Sequence, residues 1–300
     1  MQESRGNKIK NHVISNTSER SSAINHYEAE DLSSQRSLEM TTWLKKIQLL
    51  LLILLPIITN AQVLYKPIPD KLVVLTFDDA IVSQYTVVAP LLKKYGFGAT
   101  FFVCEFRDPP FSDKTKYLSW EQIGELNKMG FEIGNHTQNH THVNKMDSLH
   151  FASELKYIEN KCIAYHIPKS ISFAYPGYDT SPKALPILKA AGYVFARQGL
   201  NRPYDPLTDN PLLMPGLTTT ADNSKDVYDI LSKANHGKIV VLTLHGVPDI
   251  AHPWVNTPPE LFEQYLKYLK DNHYKVIAMH DLQQYINPDK ALAIKPVFNK

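Results

Sequence analysis

Cysteine is nearly absent: Cys104 and Cys162 are the only two in 300 residues. That excludes a disulfide scaffold and a Cys-rich zinc module. Long apolar runs are also missing. Leu49–Ile58 stops at 10 residues, half of the roughly 20 that a membrane-spanning helix needs, so no stable membrane span is expected. An excess of one charge is lacking too, with 32 Lys and Arg against 30 Asp and Glu and a net charge of +2. This balance argues against nucleic acid as a partner, because phosphate binding relies on a basic face. What remains is ordinary globular composition, 43% apolar and 21% charged, which excludes collagen-like, fully disordered and multi-span membrane proteins.

Residues 1–39 are polar and contain eight serines. They bury too little apolar surface to offset the entropy of ordering, so a disordered extension is expected. Residues 40–61 read differently. Lys45 and Lys46 precede the apolar run, and Thr59-Asn60-Ala61 follows it. A positive region, a short apolar stretch and a small-residue site make a secretory signal peptide, cleaved after Ala61. The expected start of translation is then Met40, with 1–39 assigned from an upstream start. A signal anchor with a short cytoplasmic tail is the alternative, disfavoured by the length of the run. The expected location is secreted or periplasmic. Residues 62–300 match the length at which α/β barrels of about 200–250 residues fold as a single domain. In an exported chain Cys104 and Cys162 either pair or stay as buried free thiols.

The mature chain alternates two periodicities. Apolar, β-rich strands are expected at 71–77, 99–104, 131–134, 170–175, 193–197, 238–244 and 274–279, separated by helices at 85–95, 119–129, 148–164, 181–191, 222–235 and 258–272. Ser119 and Gln122 form a capping box at the second helix. Alternating buried strands and helices imply a parallel sheet covered by helices. Closed on itself, this is a distorted (β/α)7 barrel whose site lies at the C-terminal ends of the strands.

Polar residues gather at those ends. The first strand ends in Asp78-Asp79, which in isolation reads as a solvated turn or a helix cap. The third leads into His136-Thr-Gln-Asn-His140. Two histidines four apart meet on one face of a helical turn and can share a metal ion. With one aspartate they make three ligands and leave an open position for water, the pattern of a catalytic metal site. The other aspartate is then free to act as general base. His245 closes the strand at 238–244, where it can serve as general acid or simply bond to backbone.

Thr76-Phe-Asp-Asp79, His136-Thr-x-x-His140 and Leu242-Thr-Leu-His245, in this order, resemble the polysaccharide deacetylase family (carbohydrate esterase family 4) over about residues 72–281. The resemblance implies a distorted (β/α)7 barrel that hydrolyses N- or O-acetyl groups of a polysaccharide or oligosaccharide by attack of water on a divalent metal, most often zinc. It implies Asp78 as base, Asp79, His136 and His140 as metal ligands, and His245 as acid. The motifs also depart from the family. Ala80 replaces a glycine. The usual arginine position falls on Ala174, leaving Asp78 without its orienting partner, and the usual aromatic position falls on Gly177, whose backbone N–H remains available to an oxyanion. No clear Asp-Trp motif exists; Arg202, Asp205 and Asp209 are the candidates for orienting Asp78 or His245.

Tyr178 and Trp254 are candidate cleft residues, with Trp254 suited either to stacking on a sugar or to packing its own loop. His142 reads as a surface residue or a support for the ligand motif, and His252 as lining the cleft. Two alternatives to the deacetylase follow from the departures: a carbohydrate-binding pseudoenzyme, and a related hydrolase of a small non-sugar amide.

Overall fold

The computed structural model describes residues 63–107 and 110–298. The expected extension and signal peptide lie outside the described residues. The strands are β1 (Leu72–Phe77), β2 (Thr100–Val103), β3 (Glu132–Asn135), β4 (Ser172–Ala174), β5 (Phe195–Leu200), β6 (Met214–Thr218), β7 (Val240–Leu244) and β8 (Lys275–Ile277). The helices are α1 (Ala89–Tyr95), α2 (Trp120–Lys128), α3 (Ser148–Ala164), α4 (Ala184–Ala190), α5 (Ser224–Leu231), α6 (Pro259–Asp271) and α7 (Pro288–Ala291).

β1 to β7 form a closed parallel ring, β7 pairing back onto β1. The ring is distorted at one seam. β1 meets β2 only through Thr76 and Phe77, while its first half, Leu72–Val74, pairs with β8. β8 is thus wedged between the lower parts of β1 and β2, where the Gly98 N–H donates to Val276 O at 3.2 Å. A Cβ on Gly98 would lie 2.9 Å from Ala278 N, so only glycine admits the wedge.

The ring has the expected number of strands, seven, and six of them are the expected ones. The stretch expected as the seventh is β8, outside the ring. The strand at β6 was not anticipated, because Pro215 and Gly216 interrupt its apolar pattern.

Alternation sorts the side chains. Leu72 and Val74 of β1 join Phe102, Ala174, Phe195, Met214 and Val241 in the cluster inside the barrel. Val73, Leu75 and Phe77 pack outward with Phe101, Val240 and Leu242 against Leu92, Ile123 and Leu266 of the helices. Each such side chain, fully buried, contributes about 1.5–3 kcal/mol. The capping box of α2 is formed, with Gln122 N donating to Ser119 Oγ at 3.2 Å and Ser119 N to Gln122 Oε1 at 2.9 Å. α1 stops at Gly96, left-handed with φ 73°, as expected of a helix C-terminus. Cys104 and Cys162 are both buried free thiols.

Candidate metal centre and catalytic mouth

The inward parity of the strands, carried to their C-terminal ends, delivers Asp78 from β1, Cys104 from β2, His136 from β3, Arg197 within β5 and His245 from β7. All five are buried. They meet at the top of the barrel, where Asp78, His136 and His245 line a cavity of about 510 Å³ together with Gly177, Tyr178 and Trp254.

Asp79 follows Asp78 in a left-handed turn, φ 76°, and Ala80 continues it at φ 51°. This turn swings the Asp79 carboxylate across the mouth. Its Oδ1 lies 3.5 Å from His136 Nε2 and 3.5 Å from His140 Nε2. Among the described residues these three form the group whose ligand atoms lie within 4.8 Å of one another. Separations of 3.5 Å exceed a normal N–H···O hydrogen bond. They match the distance of about 3.4 Å between two ligand atoms held tetrahedrally at 2.0–2.1 Å from one ion. The donor set therefore fits a divalent metal.

The supports around the ligands agree. His136 Nδ1 lies 2.8 Å from the Ala174 carbonyl, which fixes the proton on Nδ1 and leaves Nε2 as the ligating atom. The expected helical turn between the histidines is absent. Thr137 and His140 take left-handed φ values of 62° and 54°, and the segment is an open loop. It is held by Thr137 N on Asn135 Oδ1 (2.9 Å) and by Asn139 N on the buried Glu154 of α3 (2.8 Å).

Burial and charge act differently on the buried groups of the site. Burial alone would raise the Asp79 pKa, but His140, His136 and His245 outweigh it and hold the group well below the usual carboxylate range. Burial pulls His140 down to about 4, so its ring is neutral near pH 7 and can ligate. At His136 burial is outweighed by Asp78 and then Asp79, and the pKa rises. Burial pushes the Cys104 thiol up; its Sγ, 4.0 Å from Asp79 Oδ1, stays protonated.

Asp78 does have an orienting partner, contrary to the sequence expectation. Arg197 Nη2 donates to Asp78 Oδ2 at 2.5 Å, and both side chains are buried. Arg197 and Ala174 are register partners on adjacent strands, so the guanidinium enters from one strand further round the ring. Phe102 and Tyr178 sandwich it at 5.6 and 5.3 Å. Gly216 of β6 leaves room for its stem, since a Cβ there would lie 3.1 Å from Arg197 Cδ. The other oxygen, Asp78 Oδ1, has no hydrogen-bond partner among the described residues. Arg202 and Asp209 instead pair with each other at 2.7 and 2.9 Å, and Asp209 Oδ2 accepts from Asp205 N; no contact joins these three to Asp78 or His245. The signal that would have found Arg197 is the one that found the others: a polar residue ending a buried strand.

His245 Nε2 lies 3.9 Å from Asp79 Oδ2, and its Nδ1 is buried without a partner. The buried Gln84 side chain bonds both the Asp78 and His245 carbonyls, tying β1 to β7. At Gly177, φ 59°, a Cβ would meet the His142 ring at 2.4 Å. His142, anchored to Asp179 Oδ2 at 2.8 Å, thus occupies the space an aromatic side chain at 177 would fill. Tyr178 bonds Thr218 and separates the main cavity from a second one of about 450 Å³. Trp254 stands 72% exposed on the rim.

Fold and site together define a class: closed parallel α/β barrels with a two-histidine, one-carboxylate metal site at the mouth. Residues 65–196 match the model of the polysaccharide deacetylase family. The chain is 30% identical over 132 residues to the peptidoglycan-N-acetylglucosamine deacetylase of Bacillus cereus, covering 42% of this chain and 56% of that one. It is 34% identical over 86 residues to the poly-beta-1,6-N-acetyl-D-glucosamine N-deacetylase of Escherichia coli K12, covering 25% of this chain and 13% of that one. The chain therefore spans little more than half, or less, of these relatives. Among solved structures it resembles in fold the Xyl-CE4 domain of a multidomain xylanase from the hindgut metagenome of Trinervitermes trinervoides (TM-score 0.51, 19% identity, 71% of this chain and 90% of that one). It likewise resembles a CE4 family pseudoenzyme from Bacillus anthracis (TM-score 0.51, 20% identity, 77% and 68%).

Proposed function

We propose that this protein is an exported, metal-dependent hydrolase that removes acetyl groups from the amino sugars of a polysaccharide. The observation that carries the reading is the convergence of Asp79, His136 and His140 beside an Asp78 whose one oxygen is held by Arg197 and whose other is free. The two curated relatives are named for deacetylating N-acetylglucosamine, in peptidoglycan and in poly-beta-1,6-N-acetyl-D-glucosamine, which supports an amide rather than an ester. The segment Lys45–Ala61 supports export with cleavage after Ala61. Zinc is the proposed ion, given two imidazoles and one carboxylate.

A divalent ion at this site would polarise the acetyl carbonyl and acidify a water. Asp78 Oδ1 accepts the proton of the attacking water, while Arg197, bonded to Oδ2, keeps the carboxylate aimed at the cavity. The N–H of Gly177, which lines the same cavity, donates to the developing oxyanion. His245 passes a proton to the departing nitrogen. Tyr178 forms one wall, and Trp254 on the rim offers a face for a sugar ring.

Acetate release from N-acetylglucosamine oligomers, peptidoglycan fragments and acetylated xylan, measured with zinc-loaded full-length protein, tests this. Release from the first two is expected; release from none refutes the reading. One observation favours a second, binding-only reading: the His245 Nδ1 has no orienting partner. Saccharide binding without acetate release in the same samples would select it.

A further inference from the structure

His252 lies in the loop between β7 and α6, and its side chain is only 9% exposed. Its Nδ1 is buried without a hydrogen-bond partner. That atom lies 3.5 Å from Asp79 Oδ2 and 3.5 Å from Asp249 Oδ2. The ring is boxed in by Phe106 and Trp254, with centroids 5.0 and 5.5 Å away. Its Nε2 sits 3.4 Å from Tyr117 Oη, and a phenol O–H donated there leaves the imidazole proton on Nδ1.

The two oxygens of Asp79 face different neighbours. Oδ1 faces His136 and His140, whereas Oδ2 faces His252 at 3.5 Å and, further off at 3.9 Å, His245. His252 lies outside the group of atoms close enough to share an ion, so it reaches the metal position only through Asp79. Asp249 fixes the loop that carries the ring. Its Oδ1 accepts from the N–H groups of Ala251 (3.0 Å) and His252 (2.7 Å), and its Oδ2 from Gly246 (3.1 Å).

We propose that His252 is a positioning residue for the metal ligand Asp79: its Nδ1–H, unpartnered and 3.5 Å from Oδ2, is the donor poised to close onto Oδ2 and keep Oδ1 turned toward the ion position. The proposal rests on the metal-site reading and adds to it a dependence of ion affinity on the loop after β7. Ligands so supported typically lose 10–100-fold in metal affinity when the support is removed.

The test is titration of full-length, metal-free protein with cobalt(II) and zinc(II), by chelator competition and by the visible absorption of cobalt. His252→Leu removes the donor; His252→Asn keeps an amide N–H near the Nδ1 position. His252→Leu is expected to bind both ions 10–100-fold more weakly and to change the cobalt spectrum, with His252→Asn within about threefold of wild type. Wild-type affinity and spectrum in His252→Leu would overturn the proposal. Equal weakening in both variants would also overturn it, because that outcome marks packing rather than donation. If the wild-type protein binds neither ion, the metal-site reading itself fails, and the proposal with it.

Discussion

β3 carries a buried acid at its base and a ligand histidine at its top, on the same face: Glu132 and His136 are four residues apart in one inward row. The surroundings of the two differ sharply. At the base, Glu132 accepts from Thr100 Oγ1 (2.7 Å), His280 N (2.9 Å) and Ser170 Oγ (3.3 Å). At the mouth, Asp78 Oδ1, the Nδ1 atoms of His245 and His252, and two nitrogens of Arg197 are buried without partners. Buried polar atoms are normally satisfied. Charge that is fully met is structural; charge gathered and left open has been kept for something that arrives from outside.

Five experiments probe this contrast. The largest effect is expected from Asp78→Asn, which should lower acetate release by about 10²–10⁴-fold while metal content, read by elemental analysis, stays unchanged. His140→Ala should lose the metal itself. Next comes Arg197→Gln, which leaves a buried carboxylate without its partner and should lower unfolding free energy by about 3–5 kcal/mol, measured by urea denaturation. Ala174→Arg combined with Arg197→Ala should recover part of the activity lost in Arg197→Ala, since the two positions are register partners. Glu132→Gln should cost about 1–3 kcal/mol of stability yet leave turnover per folded molecule intact; a loss of turnover would erase the distinction between the two ends.

The smallest effect concerns His280. Asp281 and then Glu132 raise its pKa to about 10. The folded protein therefore holds the proton more tightly than the unfolded chain, with its ordinary value near 6.5. The resulting stability is fully present below pH 6.5 and is lost as pH rises through about 10. Melting temperatures between pH 6 and 11 should decline less in His280→Ala than in wild type.

Much of this was legible from residues alone. The β-branched runs of β1 and β7 and the capping box of α2 announce themselves locally, and Asp79, His136 and His140 do so by chemistry. What stayed hidden depends on distant partners. β6 reads poorly because Pro215 and Gly216 suppress the strand pattern, yet Gly216 is there for the stem of Arg197. The Arg197–Asp78 contact spans 119 positions, and motif spacing pointed to Ala174, one strand away. The histidine spacing suggested a helix, whereas left-handed Thr137 and His140 make a loop; four-residue spacing brings two rings together in either.

The wedge of β8 at the seam carries a consequence for how the molecule is made. The first half of β1 finds its neighbour on that side about 200 positions later, Leu72 against Lys275. Contacts so remote in sequence slow folding. A nascent chain holds its opening strand half-zipped until β8 emerges. Truncation before Lys275 should therefore yield aggregation-prone material rather than a smaller working barrel.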